Sequence, residues 1–227
     1  MEDGREPESL VKITLPCNVV LSGQIGVGKS VLVCRMLEHS EGLFTNPPDR
    51  VIYVYSIYQP LYDELEKKLG SKITFRNDIP TADELADHYK STKESTIVVL
   101  DDKMTSMDDS KSGKNLVHLT TVVARHSQVS FFFLLQNMYH NSSSAREIAL
   151  NCQVNIIFRN DRSASQITKF ASQVMPHNIQ YFLQSYQLST AKPHGYLLVD
   201  LCVNSNRKYM LRSDIIPGED LKIYLPK

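Results

Sequence analysis

Residues 23–30 of the chain read Gly23-Gln24-Ile25-Gly26-Val27-Gly28-Lys29-Ser30, which matches the phosphate-binding pattern G-x-x-x-x-G-K-[ST] at every fixed position. The glycines let successive backbone N–H groups turn inward as an anion nest, and a helix starting behind them adds the positive end of its dipole. Lys29 can reach the β- and γ-phosphates of a nucleoside triphosphate, and the Ser30 hydroxyl can coordinate Mg2+. With Val31 just beyond, this loop is the expected ATP contact.

A second group lies about 70 residues downstream, where STIVVLDD (95–102) is an apolar run ending in two aspartates. Asp101 is placed to hold the Mg2+, directly or through water. Asp102 can accept a proton from an attacking water or orient it. Taken alone, such an acidic pair is equally compatible with a helix cap or a solvated turn. Water-activating sites of this kind more often carry Glu at the second position, so the shorter Asp102 is a departure. A third polar tip, Gln136, ends VSFFFLLQN (129–137). An amide there can hydrogen-bond both the γ-phosphate and the lytic water, or it is simply a polar turn residue.

The flanking segments predict the elements that hold these residues. NVVLSG (18–23) reads as a strand and KSVLVCRMLEH as a helix, in the order that a phosphate loop requires. VIYVYS (51–56), KITFR, STIVVLDD, VSFFFLLQN and VNIIFRN (154–160) read as further strands. Helices are expected over 60–70, over 81–90 with Thr81 as cap and Glu84 three residues on, over about 114–126, and after a Ser cap in SASQITKFASQV. HNIQYFLQSYQLST suggests another helix. YHNSSSAREIALNCQ (139–153) reads as a loop with a turn of helix, and residues 194–215 as a hairpin across an Asn-Ser-Asn turn. Apolar strands alternating with helices imply an α/β fold with a largely parallel sheet covered on both faces. Ligands on such sheets sit at the C-terminal strand ends, where the loop, the two acids and Gln136 all lie. The expected organisation is a flexible tail over 1–10 and one P-loop domain over 11–227.

Composition narrows the function classes. The chain has 227 residues, 42% of them hydrophobic and 22% charged, with zero formal net charge, so it is long enough for a full core and too ordinary for wholesale disorder. Acids outnumber bases between Leu37 and Ser110, and bases outnumber acids between Lys111 and Met175. That segregation fits either two solvated faces or a second segment that meets a polyanion. The four cysteines, Cys17, Cys34, Cys152 and Cys202, form no C-x-x-C. The acidic start MEDGREPES is no signal peptide and no apolar run approaches a bilayer span, so an intracellular, soluble protein with no membrane partner is expected. A switch GTPase would need N-K-x-D, which is absent, and a small-molecule kinase would show an arginine-rich lid. The parts fit a water-activating, ring-forming ATPase whose site is completed by an arginine from a neighbouring subunit. Arg125, Arg146, Arg159 and Arg162 are candidates; Arg125 is preferred because it ends the helix between the two catalytic strands.

GQIGVGKS, IVVLDDKM and FFFLLQNMYH together resemble the FtsK–HerA superfamily of DNA-pumping ATPases, and more closely the genome-packaging ATPases of Polinton/Maverick elements and adintovirus-like viruses. The similarity continues through PPDRVIYVYSIYQPLYDEL, REIALNCQVNIIFRNDRSASQI, KPHGYLLVD and LRSDIIPGE, covering about residues 15–220. Lys103 after the acids, and the lack of Pro-Ser/Thr after Gly23, mark a divergent member. The resemblance implies a RecA/FtsK–HerA-like fold and Lys29 and Ser30 as nucleotide and Mg2+ contacts. It also implies Asp101 as metal acid, Asp102 as catalytic acid and Gln136 as sensor. It further implies a homo-oligomeric ring that moves double-stranded DNA into a capsid, a capsid or portal-vertex partner, and action in the host nucleus or at the virion packaging vertex. Lys111, Lys114, Arg146 and Lys169 are candidates to face DNA phosphates, and the polar stretch TSMDDSKSGKN a candidate mobile loop. A P-loop small-molecule or nucleotide kinase, and a nucleotide-binding module with weak hydrolysis, are the alternatives.

Overall fold

The computed structural model describes residues 11–103, 110–137 and 143–226. The tail at 1–10, the start of the polar stretch after the acids, and the side chain of Lys111 lie outside the described residues. Among the described residues nine strands form one sheet in the order β3-β2-β4-β5-β1-β6-β7-β8-β9. The first six are parallel: β1 (Val19–Ser22), β2 (Arg50–Tyr55), β3 (Ile73–Arg76), β4 (Thr96–Asp101), β5 (Val129–Leu135) and β6 (Val154–Phe158). The last three are antiparallel: β7 (Tyr196–Asp200), β8 (Leu211–Ser213) and β9 (Lys222–Tyr224).

The apolar runs become central strands because both of their faces are covered. Every residue of β1, β4, β5 and β6 is buried. Val19 and Leu21 pack under α1 (Lys29–Glu38) and α3 (Leu61–Leu69), with the short α2 (Ser40–Leu43) beside them. Val20, between them, faces the opposite layer of α4 (Ala82–Thr92), α5 (Ser110–His118) and α6 (Ser143–Asn151). The period of two along β1 thus sorts its side chains onto two cores. A third apolar cluster packs α7 (Ala164–Val174) and α8 (Ile179–Ser189) on β6 to β8. Cys34 is buried in the first core, as its helical spacing implies. Among the described residues no helix is long and apolar enough to cross a membrane.

Several local expectations are corrected. The segment before Cys152 is a nine-residue helix rather than a loop with one turn, because buried Ile148 anchors it to the second core. The helix expected over 114–126 starts at Ser110 and runs through a π turn, Leu119–Val123, into Ala124–His126. The tight Asn-Ser-Asn hairpin turn is instead a long connection from Leu201 to Met210 that includes the 3-10 turn Arg207–Tyr209. The Thr81 cap forms, its hydroxyl accepting from Glu84 N at 3.2 Å, but the Glu84 carboxylate turns away to Arg76 at 2.6 Å. Ser163 precedes α7 without a side-chain cap bond.

The antiparallel wing is held by an ion pair in the core. Arg212 Nη2 donates to Asp200 Oδ2 at 2.9 Å, with both side chains at most 2% exposed. Asp200 also accepts from Cys202 N and Ser205 Oγ, each at 3.0 Å. Burial pushes the Arg212 guanidinium below its ordinary pKa, and Asp200 partly offsets this. Truncating one partner leaves the other charge buried and alone. Arg212→Ala is therefore expected to cost about 3–5 kcal/mol of stability, read as a lower urea midpoint.

Candidate active site

The phosphate loop grows from β1 by one backbone bond: Gly23 N donates to Leu135 O at the end of β5, at 3.1 Å. A Cβ on Gly23 would lie 2.7 Å from Phe158 Cβ, so glycine is what lets the chain leave β1 between the ends of β5 and β6. Gly28 caps α1 at φ 101°, in the left-handed region, with no side-chain cap bond. The first-turn N–H groups of α1 therefore face the loop, which is the arrangement that receives an anion. Lys29 Nζ lies in the same cup, donating to Gly23 O at 2.6 Å and Gln24 O at 2.8 Å. Its burial lowers its pKa, and the nearby Asp101 and Asp102 carboxylates oppose that shift.

The acids stand across from this cup at the end of β4. Asp101 is 7% exposed, and its Oδ2 accepts from Tyr53 Oη at 2.8 Å and Tyr62 Oη at 3.1 Å. Burial, then the neighbouring Asp101 charge, push both phenols upward in pKa, so they remain donors. Asp102 leaves the strand at φ 53°. Its carbonyl accepts from Ser56 Oγ at 2.8 Å, and its Oδ1 accepts from Gln136 Nε2 at 3.3 Å. One cavity of about 580 Å³ is lined by Lys29, Ser30, Asp101, Asp102 and Gln136. Loops from three different strands thus meet at the C-terminal edge of the sheet, as the strand pattern implied.

Within the loop itself the contacts divide. Ile25, Gly26, Gly28 and Val31 line the cavity. Gln24 instead ties the loop sideways, its Nε2 donating to Asn160 Oδ1 at 3.0 Å, and Val27 O accepts from His194 Nδ1 at 3.0 Å. Ser30 and Asp101 present hard oxygen donors to one space, a set that fits Mg2+. Among the described residues no cluster of three His, Cys, Asp or Glu side chains is suited to a metal. Such a Mg2+ would take its remaining ligands from phosphate and water, its usual habit.

Arg125 lies elsewhere. It borders a depression with Asn18, Val129 and Gln153, at the starting ends of β1, β5 and β6. The reason is geometric: a helix joining two parallel strands must run back along them, so its C-terminal end reaches the far edge. Arg125 does not line the cavity of its own chain. Arg159 and Arg162 follow β6 on the C-terminal edge of the sheet, the edge that carries the phosphate loop, and Arg159 pairs with Asp161 at 3.0 Å. Tyr53, Tyr62, Ser56, Gln59 and His194 escaped the sequence reading. The tyrosines read there as apolar strand and helix residues, and nothing local reveals that their hydroxyls meet an acid.

The topology matches known structures. This chain has a P-loop NTPase-like fold. The genome-packaging NTPase B204 of Sulfolobus turreted icosahedral virus 2, solved with sulfate, superposes with a TM-score of 0.55 at 15% identity, covering 93% of this chain and 96% of that one. B204 of Sulfolobus turreted icosahedral virus, a DNA-packaging ATPase, gives 0.54 at 13% identity, covering 93% and 98%. A complex of the first enzyme with AMPPCP gives 0.54 at 14% identity, over 93% and 98% of the two chains. No family model matches the sequence, and no curated protein does.

A Cβ on Gly28 would meet His194 Nδ1 at 3.1 Å in a backbone region that costs an L-residue about 1–2 kcal/mol. Gly28→Ala is expected to weaken binding of a fluorescent ATP analogue about tenfold, measured by titration.

Proposed function

We propose that the chain is an ATP-hydrolysing motor of the FtsK–HerA type that translocates double-stranded DNA into a viral capsid, as a ring with Mg-ATP sites shared between subunits. The observation that carries this reading is the convergence of Lys29, Ser30, Asp101, Asp102 and Gln136 on one cavity. A fold shared with viral genome-packaging NTPases over more than nine-tenths of both chains supports it.

In this reading the α1 N-terminus and Lys29 bind the β- and γ-phosphates, and Ser30 and Asp101 hold Mg2+. When bound, Mg2+ neutralises phosphate charge. Asp102 orients the attacking water or takes its proton, and Gln136, bonded to Asp102, holds that carboxylate toward the cavity and senses the γ-phosphate. The left-handed turn at Asp102, pinned by Ser56, takes the shorter acid off the strand line toward Gln136. Arg125 of a neighbouring copy is the proposed arginine in trans. The position of Arg125 at the opposite edge of the sheet suits a head-to-tail ring, in which the far edge of one copy faces the cavity of the next. Lys114, Arg146 and Lys169 are exposed and are proposed to meet DNA phosphates as the ring grips any sequence.

Phosphate release measured with and without duplex DNA tests the proposal. Duplex DNA is expected to stimulate turnover, and Lys29→Ala to abolish it. Asp102→Asn is expected to lower kcat by about 100-fold or more with KM retained. Robust hydrolysis indifferent to DNA would overturn the motor, leaving a simple nucleotidase or binding module. Unchanged turnover in Lys29→Ala would overturn the site. Mixing Arg125→Ala with Asp102→Asn subunits is expected to restore part of the activity; no recovery would remove Arg125 from the shared site.

A further inference from the structure

We infer that Tyr53 and Tyr62 are positioning residues that make Asp101 a one-oxygen metal ligand and so set the preference of the site for Mg2+ over Ca2+. The inference rests on the nucleotide-site reading above.

A carboxylate oxygen carries two lone pairs. At Asp101 Oδ2 both are engaged, by Tyr53 Oη at 2.8 Å and Tyr62 Oη at 3.1 Å. Among the described residues no hydrogen bond reaches Oδ1, and Asp101 borders the cavity together with Ser30. Coordination is thereby confined to Oδ1. The phenols are not free to yield Oδ2, because both tyrosines are fully buried. Their rings lie 4.8 Å apart, and Phe75 from β3 stacks on Tyr62 at 5.3 Å and packs on Tyr53 at 5.5 Å. Tyr53 stands on β2, paired to β4 two residues from the acid, with Tyr53 opposite Val99 and Tyr55 opposite Asp101. The two donors therefore belong to a packed aromatic layer built on the sheet.

The consequence follows from ion size. Ca2+ takes six to eight oxygens and commonly uses a carboxylate through both of its oxygens. Mg2+ needs six in a near-ideal octahedron and is satisfied by one carboxylate oxygen, phosphates and water. Occupying Oδ2 with two phenols removes the two-oxygen mode that favours the larger ion, and it fixes the direction of Oδ1 for the smaller one.

The test titrates Mg2+ or Ca2+ into the full chain with a fluorescent, non-hydrolysable ATP analogue and reads binding rather than turnover. In Y53F/Y62F, which keeps the aromatic layer, the Mg2+ half-saturation is expected to rise about tenfold while Ca2+ gains or holds, so the preference narrows. Y62F alone removes the longer bond and is expected to shift the preference in the same direction, which keeps the test open if Y53F does not fold. An unchanged Mg2+ to Ca2+ ratio in a folded variant would overturn the inference, whether or not both affinities fall together. No binding of the analogue by the wild-type chain with either metal would instead overturn the nucleotide reading, and this inference with it.

Discussion

The insertion of β5 between the phosphate-loop strand and the acid-bearing strand is the constraint on which the site depends. Ser22 of β1 lies opposite Leu135 of β5, and Asp101 of β4 lies opposite Leu134. Two inter-strand spacings therefore separate Gly23 from Asp101, about 9.5 Å in an ordinary sheet. That gap is wide enough for a phosphate group and a hydrated cation between the loop and the acids, where direct neighbours would leave room for neither. It also puts the tip of the middle strand, Gln136, between them. The bond from Gly23 N to Leu135 O ties the level of the loop to that tip.

Because β5 is central, both of its faces are covered, and VSFFFLL is buried at every residue, its one polar side chain, Ser130, accepting a bond from Cys17 N. The same requirement extends outward to β4 and β1, whose last residues must still present polar groups. Asp101 resolves this conflict. It stays in the core edge at 7% exposure because two phenols satisfy one oxygen while the residue borders the cavity. A buried carboxylate without such donors would be costly. Lys29 faces the reciprocal problem. Burial works against its charge, and two loop carbonyls together with the opposing acids support it.

The C-terminal wing is part of this same construction. β7 pairs antiparallel with β6 over its whole length, and the Arg212–Asp200 pair locks β8 to it. The turn leading into β7 lays His194 on Val27 of the phosphate loop. Gly195 is obligatory there, since a Cβ would lie 2.3 Å from Ser189 O. The region that reads in sequence as a terminal hairpin thus forms one wall of the cavity, through His194 and Tyr196.

The strands and the phosphate loop were legible in the sequence because their signals are local. Apolar runs such as IVVL and FFFLL, rich in β-branched and aromatic residues, read as doubly covered strands, and Gly23 to Ser30 carries its backbone requirement in its own residues. Asp101, Asp102 and Gln136 could be assigned to one edge because parallel strands share a direction. Local signals faded where burial alone decided the outcome, as in α6, which reads as a loop with a turn of helix until Ile148 finds the second core. What only the tertiary structure decided was contact between elements distant along the chain. It chose the order of strands, sent Arg125 to the far edge by the return path of α5, brought His194 to the loop, and turned two apparently structural tyrosines toward Asp101. Hydroxyl and carboxylate carry no mark of each other in sequence; their pairing is set by strand register and by the aromatic packing around them.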